Sequence, residues 1–353
     1  MRKIDLEHIE ISSKLARPIY NSKSQMLLGQ GTILTSKFIE RLKVLGYTSV
    51  YIDDGLIDDV TIDETISEET RLQAVNCLRV VNEEIQNRKP FNVSLVKKVV
   101  SDIIDDLIVS REMMLNLSDI RSYDDYTFNH SVNVTVISVM IGMSLHYTQN
   151  RLHDLGLGVI LHDIGKTQIP LEIINKPAKL TDDEYAVVKK HTWHGFELLR
   201  SNPEIKITSA HVALQHHERC DGSGYPRNLQ GEDILEFARI SAIADVYDAL
   251  TNDRCYRKKL PVHKAYEILL ENSGSHFDNY ILDRFIQKIA LYPQGTKVML
   301  NDGRSGLVIS QNHISPTRPM VRLFWDRDKE LPKPVEVNLL YEPALAITDV
   351  ISN

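Results

Sequence analysis

Eleven consecutive residues, His216-His217-Glu218-Arg219-Cys220-Asp221-Gly222-Ser223-Gly224-Tyr225-Pro226, set two adjacent imidazoles ahead of a carboxylate-bearing loop with two glycines. Neighbouring side chains on a helix point about 100° apart, so both histidines meet one site only where their helix ends inside it. The Gly-Ser-Gly that follows suits such an end, because glycine admits backbone angles and close approaches that other residues resist. A polar helix terminus with a solvated histidine pair is the plainer reading. On these residues alone the two weigh equally.

Other residues tip the balance towards metal. His130 is followed by Val134, Ile137 and Ile141 at spacings of four, three and four, which puts it on the buried stripe of a helix. His162-Asp163-Ile164-Gly165-Lys166 joins an imidazole to a carboxylate that can bridge two cations, with a lysine one turn on. A rival pair, His153-Asp154, precedes it by nine residues. On one continuous helix nine residues turn about 900°, half a turn in excess, so the pairs face opposite ways. Leu155 and Val159 share the face of 162 and 163, which puts that pair inside and His153-Asp154 on the surface. His191 and His194 are further candidates. Asp245 and Asp248 fall within the apolar Ser241–Leu250 stretch, where unpaired carboxylates are costly and a cation accounts for at least one of them. Arg254, Arg257, Lys258 and Lys259 make a short basic run that either caps a helix in solvent or grips a phosphate.

The elements that carry these residues divide the 353-residue chain. Residues 1–58 alternate short apolar segments with turn signals around one helical stretch, Ser36 to Leu45, and predict a small α+β module. Residues 59–120 predict a helical linker. Leu72, Val75, Leu78, Val81 and Ile85 recur at helical spacing after a Ser67-Glu68-Glu69 start, and Val96, Val100, Ile103 and Leu107 do so after Pro90. These helices either pack on the next domain, the preferred reading, or pair across a homodimer. Residues 121–290 read as helix after helix and hold eleven of the thirteen histidines, a concentration that points to metal. From residue 291 the pattern changes to short apolar runs, with an Asn301-Asp302-Gly303 hairpin signal, and predicts a β-rich C-terminal module over 291–353.

Composition narrows the function class. Hydrophobic residues at 42% and charged residues at 25% are ordinary for a globular protein. A net charge of -7 argues against bulk nucleic acid or an anionic membrane as partner, while leaving room for a local basic pocket. Cys77, Cys220 and Cys255 are odd in number and far apart, which fits neither a disulfide framework nor a thiolate zinc site and suits a reducing cytoplasm. The sequence predicts no signal peptide and no membrane span.

Taken together, the motifs resemble the HD-GYP family, a branch of the HD phosphohydrolases. His162-Asp163 matches its HD motif, His216 to Pro226 matches its HHExxDGxGYP signature at every position, and Asp245 to Leu250 with Arg254-Cys255-Tyr256-Arg257 is similar to its downstream block. The resemblance covers roughly residues 120 to 290 and implies an all-α HD-type bundle flanked by the two smaller modules, mainly α overall. It also implies hydrolysis of cyclic di-GMP to pGpG, to GMP, or to both. One metal is then held by His130, His162, Asp163 and Asp245, and a second by Asp163 as bridge with His191, His216 and His217; His194 has no role. Lys166, Arg254 and Arg257 contact phosphates, and Asp221, Gly222, Gly224 and Tyr225 line the substrate pocket. Members that bind a third metal carry a glutamate where this chain has Tyr126, so two cations are expected, with Asp125 the one nearby carboxylate that could add to the set. Nitrogen and oxygen ligands favour Fe or Mn and leave Zn, Co and Ni open.

The chemistry expected is attack on phosphorus by a hydroxide drawn from water shared between two cations about 3.5–4 Å apart. Lys166 would help to stabilise the charge that builds on the phosphoryl oxygens. Two other readings use the same residues: a phosphodiesterase for another cyclic dinucleotide or nucleotide, and a catalytically silent receptor for the messenger.

Overall fold

The computed structural model describes residues 1–21, 25–60, 65–110, 126–176, 178–252, 259–312, 314–327 and 329–351. The N-terminal unit holds β1 (Arg2–Asp5), β2 (Lys14–Leu15), β3 (Ile19–Tyr20), β4 (Met26–Leu28), α1 (Ser36–Val44) and β5 (Ser49–Asp53). β5 lies between β1 and β2 in an antiparallel sheet, with β3 and β4 as a separate pair. α1 begins at Thr35, whose hydroxyl accepts the Phe38 amide, and buries Ile39 and Leu42 against Ile4, Leu15, Val50 and Ile52.

The helical bundle follows. α2 (Glu68–Gln86) starts at Ser67, whose hydroxyl accepts the Thr70 amide, and the acidic Glu68 and Glu69 suit the positive end of the helix dipole. After it come α3 (Val93–Val109), α4 (Tyr126–Ser144), α5 (Gln149–Ile160), α6 (Leu171–Ile174), α7 (Asp182–Lys189), α8 (His191–Arg200), α9 (Ile207–Gln215), α10 (Glu236–Thr251), α11 (Val262–Glu271) and α12 (Asn279–Ile286). One hydrophobic core takes in residues from Ile66 to Leu291, so α2 and α3 pack on the same core as the helices that follow.

The sequence predicts a single buried stripe on the helix of His130. Instead α4 is the centre of the bundle: every residue from Asn129 to Gly142 is buried, because α2, α3, α5, α10 and α12 surround it. Such a helix must satisfy its polar residues internally, and Thr135 does so by donating to the Ser131 carbonyl at 2.7 Å. Ile137 and Ile141 are packed on all sides, and truncating either to alanine would cost about 2–5 kcal/mol.

After residue 291 the chain forms β6 (Lys297–Leu300), β7 (Arg304–Ser310), β8 (Met320–Asp326), β9 (Lys329–Asn338) and β10 (Ile347–Val350), an antiparallel sheet in the order β10-β6-β7-β8-β9. The Asn301-Asp302-Gly303 turn joins β6 to β7, with the Asp302 carboxylate accepting the Arg304 amide at 3.0 Å. This sheet meets the N-terminal unit directly. Ile57 is fully buried with Leu307, Ile309 and Phe324, and the two oxygens of Asp59 each accept from the Arg322 guanidinium at 2.6 Å. The architecture is mainly α, with a helical bundle between a small α+β unit and a β-rich unit, in agreement with the sequence. Among the described residues no helix is long and apolar enough to cross a membrane.

Candidate metal centre

Four helices and two turns converge on one buried cluster. His130 comes from the first turns of α4, and Asp245 from the middle of α10, which packs along α4. His191 is the first residue of α8, and His216 is the C-terminal cap of α9, with His217 just beyond it. The helix therefore ends inside the cluster, which lets both neighbouring imidazoles face it.

His162 and Asp163 are carried differently from expectation. The sequence reading runs one helix from His153 to Lys166, but α5 stops at Ile160, and the pair sits in a turn leading to a short 3₁₀ helix over Ile164–Gln168. The reason is tertiary. Gly165 packs so closely on α8 that a Cβ there would lie 2.0 Å from the His191 carbonyl oxygen and 2.4 Å from the Gly195 nitrogen, an approach a continuing helix with a side chain could not make. His153 and Asp154 stay on α5, half-buried, with Asp154 accepting from Lys206 at 2.7 Å.

Two groups of side chains result. His130, His162 and Asp245 form one, and Asp163, His191, His216 and His217 form the other, each with candidate ligand atoms within 4.8 Å of one another. Asp163 stands between them. Its Oδ2 faces the first group, 3.5 Å from His162 Nε2 and 3.9 Å from His130 Nε2. Its Oδ1 faces the second, 3.5 Å from His191 Nε2 and 3.7 Å from His216 Nε2. His194 is half-buried on α8 and belongs to neither group.

Hydrogen bonds at the far side of each ring fix which nitrogen faces inward. His162 Nδ1 donates to the Val159 carbonyl and His191 Nδ1 to the Val188 carbonyl, each at 2.7 Å, and His216 Nδ1 donates to the Val212 and Ala213 carbonyls at 3.1 Å. Their Nε2 atoms are left as acceptors aimed at one another, with His191 Nε2 and His216 Nε2 only 3.4 Å apart. Two lone pairs at that distance repel unless a proton or a cation lies between them.

Burial opposes the proton. It holds His162 and His216 below the ordinary imidazole value and pushes His191 down to about 4 and His217 to about 3. His162 Nε2 and Asp163 Oδ1 are buried with no hydrogen-bond partner. Such orphaned acceptors are expensive in an apolar interior, and a divalent cation satisfies them at once. The donor set therefore fits a pair of metal ions, held through nitrogen and oxygen.

Charge among the cluster's own side chains is balanced internally. Burial works against a charged His130, yet the bonds to Asp245 and Asp248 outweigh it and lift that imidazole to about 9. Burial likewise works against ionised Asp163, and Lys166, 2.5 Å away, leads the charges that hold it well below the usual carboxylate range. Lys166, expected on a phosphate, thus lies against Asp163.

The signature loop closes one side. Gly224 passes so near the preceding strand of chain that a Cβ would lie 2.4 Å from the Arg219 nitrogen and 2.5 Å from Glu218 Cα. Glu218 is buried and accepts the amides of Arg227 at 2.7 Å and Leu229 at 3.0 Å, which pins the loop across its base. Tyr225 lies with its ring 4.7 Å from that of His217. Asp221 turns back on its own loop, accepting the Ser223 amide at 2.8 Å, and the backbone of Gly222 takes the left-handed φ of 81°. Arg254, Arg257 and Asp125 lie outside the described residues.

Two residues of the motifs were given no role of their own by the sequence. Asp248 is wholly buried and accepts from His130 Nδ1 at 2.7 Å, Asn133 Nδ2 at 2.5 Å and Asn252 Nδ2 at 2.7 Å. Its i, i+3 relation to Asp245 was the available signal, and it shows a carboxylate that orients a ligand beside one that can be a ligand. Glu218 carried a signal too, as the acidic residue directly after the histidine pair.

Residues 81–281, more than half of the chain, match the HD domain family, and residues 297–353 match the KOW domain associated with HD domain. The chain belongs to the HD-GYP branch of the HD domain family. Among relatives of this HD-GYP chain, a Pseudomonas aeruginosa protein named cyclic di-GMP phosphodiesterase is 36% identical over 241 residues, 67% of this chain and 58% of the relative. A Xanthomonas campestris protein named cyclic di-GMP phosphodiesterase response regulator is 31% identical over 238 residues, 67% of this chain and 62% of the relative. A Vibrio cholerae protein named 3'3'-cGAMP-specific phosphodiesterase 2 is 32% identical over 199 residues, 56% of this chain and 38% of the relative. The chain spans less than two thirds of the length of each of these relatives. The solved structure of an HDGYP protein from Bdellovibrio bacteriovorus, 18% identical, superposes with a TM-score of 0.50 over 80% of this chain and 97% of that one, a likeness of fold.

Proposed function

We propose that this protein is a metal-dependent phosphodiesterase that hydrolyses cyclic di-GMP to pGpG, GMP or both. The observation that carries the reading is Asp163, whose two oxygens face two separate groups of buried ligand atoms. On this proposal one cation is held by His130, His162, Asp163 and Asp245, and the other by Asp163, His191, His216 and His217. Divalent cations there supply Lewis acidity for a phosphoryl oxygen and a nucleophile from water near neutral pH. Fe or Mn suits the thiolate-free ligand set best.

The chain's own groups do the rest. Asp248 holds the His130 ring so that Nε2 faces inward, and the backbone carbonyls of residues 159, 188, 212 and 213 do the same for His162, His191 and His216. Lys166, one third exposed beside Asp163, would contact a substrate phosphate. Tyr225 and the glycines at 222 and 224 shape the rim, Asp221 stiffens it, and Arg254 and Arg257 complete the phosphate contacts. Cytoplasmic location, in a compartment that keeps thiols such as Cys77 and Cys220 reduced, belongs to the same proposal. So does a homodimer through α2 and α3, where Val80, Leu95, Ile108 and Val109 are exposed, and so does indifference to bulk nucleic acid.

The test is to purify the chain, measure its metal content, incubate it with cyclic di-GMP and separate the products. Hydrolysis is expected from the wild type, with loss of both metal and hydrolysis in Asp163→Ala; full activity in that variant would sink the proposal. The relative named for 3'3'-cGAMP supports a second substrate, and competition between the two dinucleotides ranks them.

A further inference from the structure

α7, like the one-turn α6 before it, buries no residue. Its N-terminus is fixed by a reciprocal capping box, in which the Thr181 hydroxyl accepts the Glu184 amide and the Glu184 carboxylate accepts the Thr181 amide, and Lys176 adds an ion pair to Glu184 at 2.6 Å. At its C-terminus Lys190 leads straight into α8 and the ligand His191. A helix held so firmly at its ends and so little by the core is positioned for the face it presents.

That face carries Tyr185 and Lys189, one turn apart. The Tyr185 ring meets the Tyr225 ring edge to face, centroids 6.2 Å apart at 79°, and Tyr225 in turn lies 4.7 Å from the ring of His217. The Lys189 ammonium sits over both tyrosines, 5.1 Å from the centre of Tyr185 and 5.7 Å from that of Tyr225. An aromatic wall therefore runs outward from the metal cluster, and its outermost ring is still 46% exposed. A large aromatic side chain left open beside a buried catalytic cluster is placed to meet something planar.

We propose that Tyr185 is a specificity-determining residue that stacks a purine base of the substrate, with Lys189 as the positioning residue that fixes the angle of the Tyr185 and Tyr225 rings. This rests on the phosphodiesterase reading above and extends it from the phosphate to the base. Anchoring through the phosphate at the cations and through a base at Tyr185 gives a nucleotide two points of attachment, which a simple phosphate ester lacks. A stacked base contributes roughly 5- to 150-fold in affinity.

The experiment compares GMP with ribose 5-phosphate, which has the phosphate and sugar without the base, by calorimetric binding to the manganese-loaded full chain. The wild type is expected to bind GMP about tenfold more tightly. Tyr185→Leu should remove that preference while leaving ribose 5-phosphate affinity and manganese content unchanged, and Tyr185→Phe should retain it. Lys189→Met should reduce the preference without abolishing it. The proposal is overturned if the wild type shows no preference, if Tyr185→Leu keeps it, or if that variant loses both ligands together. Binding needs no turnover, so this outcome separates from that of the hydrolysis assay. Cyclic di-GMP hydrolysis with the preference kept in Tyr185→Leu fails the wall alone, whereas no hydrolysis with the preference lost fails the substrate assignment alone.

Discussion

His130 donates its Nδ1 proton to the wholly buried carboxylate of Asp248 at 2.7 Å, and Asp248 is in turn held by Asn133 and Asn252. Asn133 also accepts from Arg71 of α2 at 3.0 Å. A chain of buried polar groups thus runs from α2, through α4 and α10, to a ligand atom of the metal cluster. Asp248→Asn keeps the shape of the side chain but removes its charge. We expect metal affinity to fall about 10- to 100-fold with the fold retained, measured by titration of the chelated protein with manganese.

Glu218 gives a prediction on stability. Glu218→Ala leaves the part-buried Arg227 and Leu229 amides without their acceptor, and should cost about 1 kcal/mol in denaturant unfolding. Glu218→Gln, which can still accept, should cost less.

The signature loop and the histidine pair before it are expected to separate in their effects. Tyr225→Ala should raise KM for cyclic di-GMP about tenfold while metal content stays near the wild-type level. His217→Ala should lower both metal content and turnover. Equal behaviour of the two variants in metal analysis would contradict the division.

The metal-free protein should have a bell-shaped stability profile. His191 and His217, held near 4 and 3 when folded, bind a proton on unfolding below about pH 6.5. Their contribution is complete above about pH 6.5 and is lost as pH falls through 4 and 3. His130, raised to about 9, behaves in the opposite sense: its contribution is complete below about pH 6.5 and is lost as pH rises through 9. Thermal unfolding of the chelated chain should therefore show Tm falling on both sides of about pH 6.5. Manganese, which on the proposed ligand set would take the place of the proton on His130 Nε2, should flatten the alkaline side. A Tm that climbs steadily through pH 9 in the chelated chain would contradict the assignment.

The cluster was legible in the sequence to different depths. His216 and His217 could be placed at a helix end because adjacency itself demands it, and α9 does end at Gln215. The inward position of His162 and Asp163 was reached through a helix that does not continue; α5 ends because Gly165 docks on the backbone of α8, a contact between segments some thirty residues apart that no local pattern encodes. Asp248 read only as an alternative to Asp245 for holding a cation, since its three partners come from 115 to 118 residues upstream and one turn downstream. The β-rich unit was visible through its Asn301-Asp302-Gly303 turn, but its seating on the N-terminal unit was not, because neither Ile57 nor Leu307 carries any mark of the other.

That seating sets an order of events during synthesis. Asp59 and Arg322 are separated by 263 residues, and Ile57 meets its cover only when Leu307, Ile309 and Phe324 have been made. At about 5–20 residues per second, the segment around Ile57 waits on the order of ten seconds or more for the ribosome to deliver that cover. Throughout that interval the nascent chain presents a greasy side chain, and it is the bundle, folding in between, that must carry the two halves of the contact to one another.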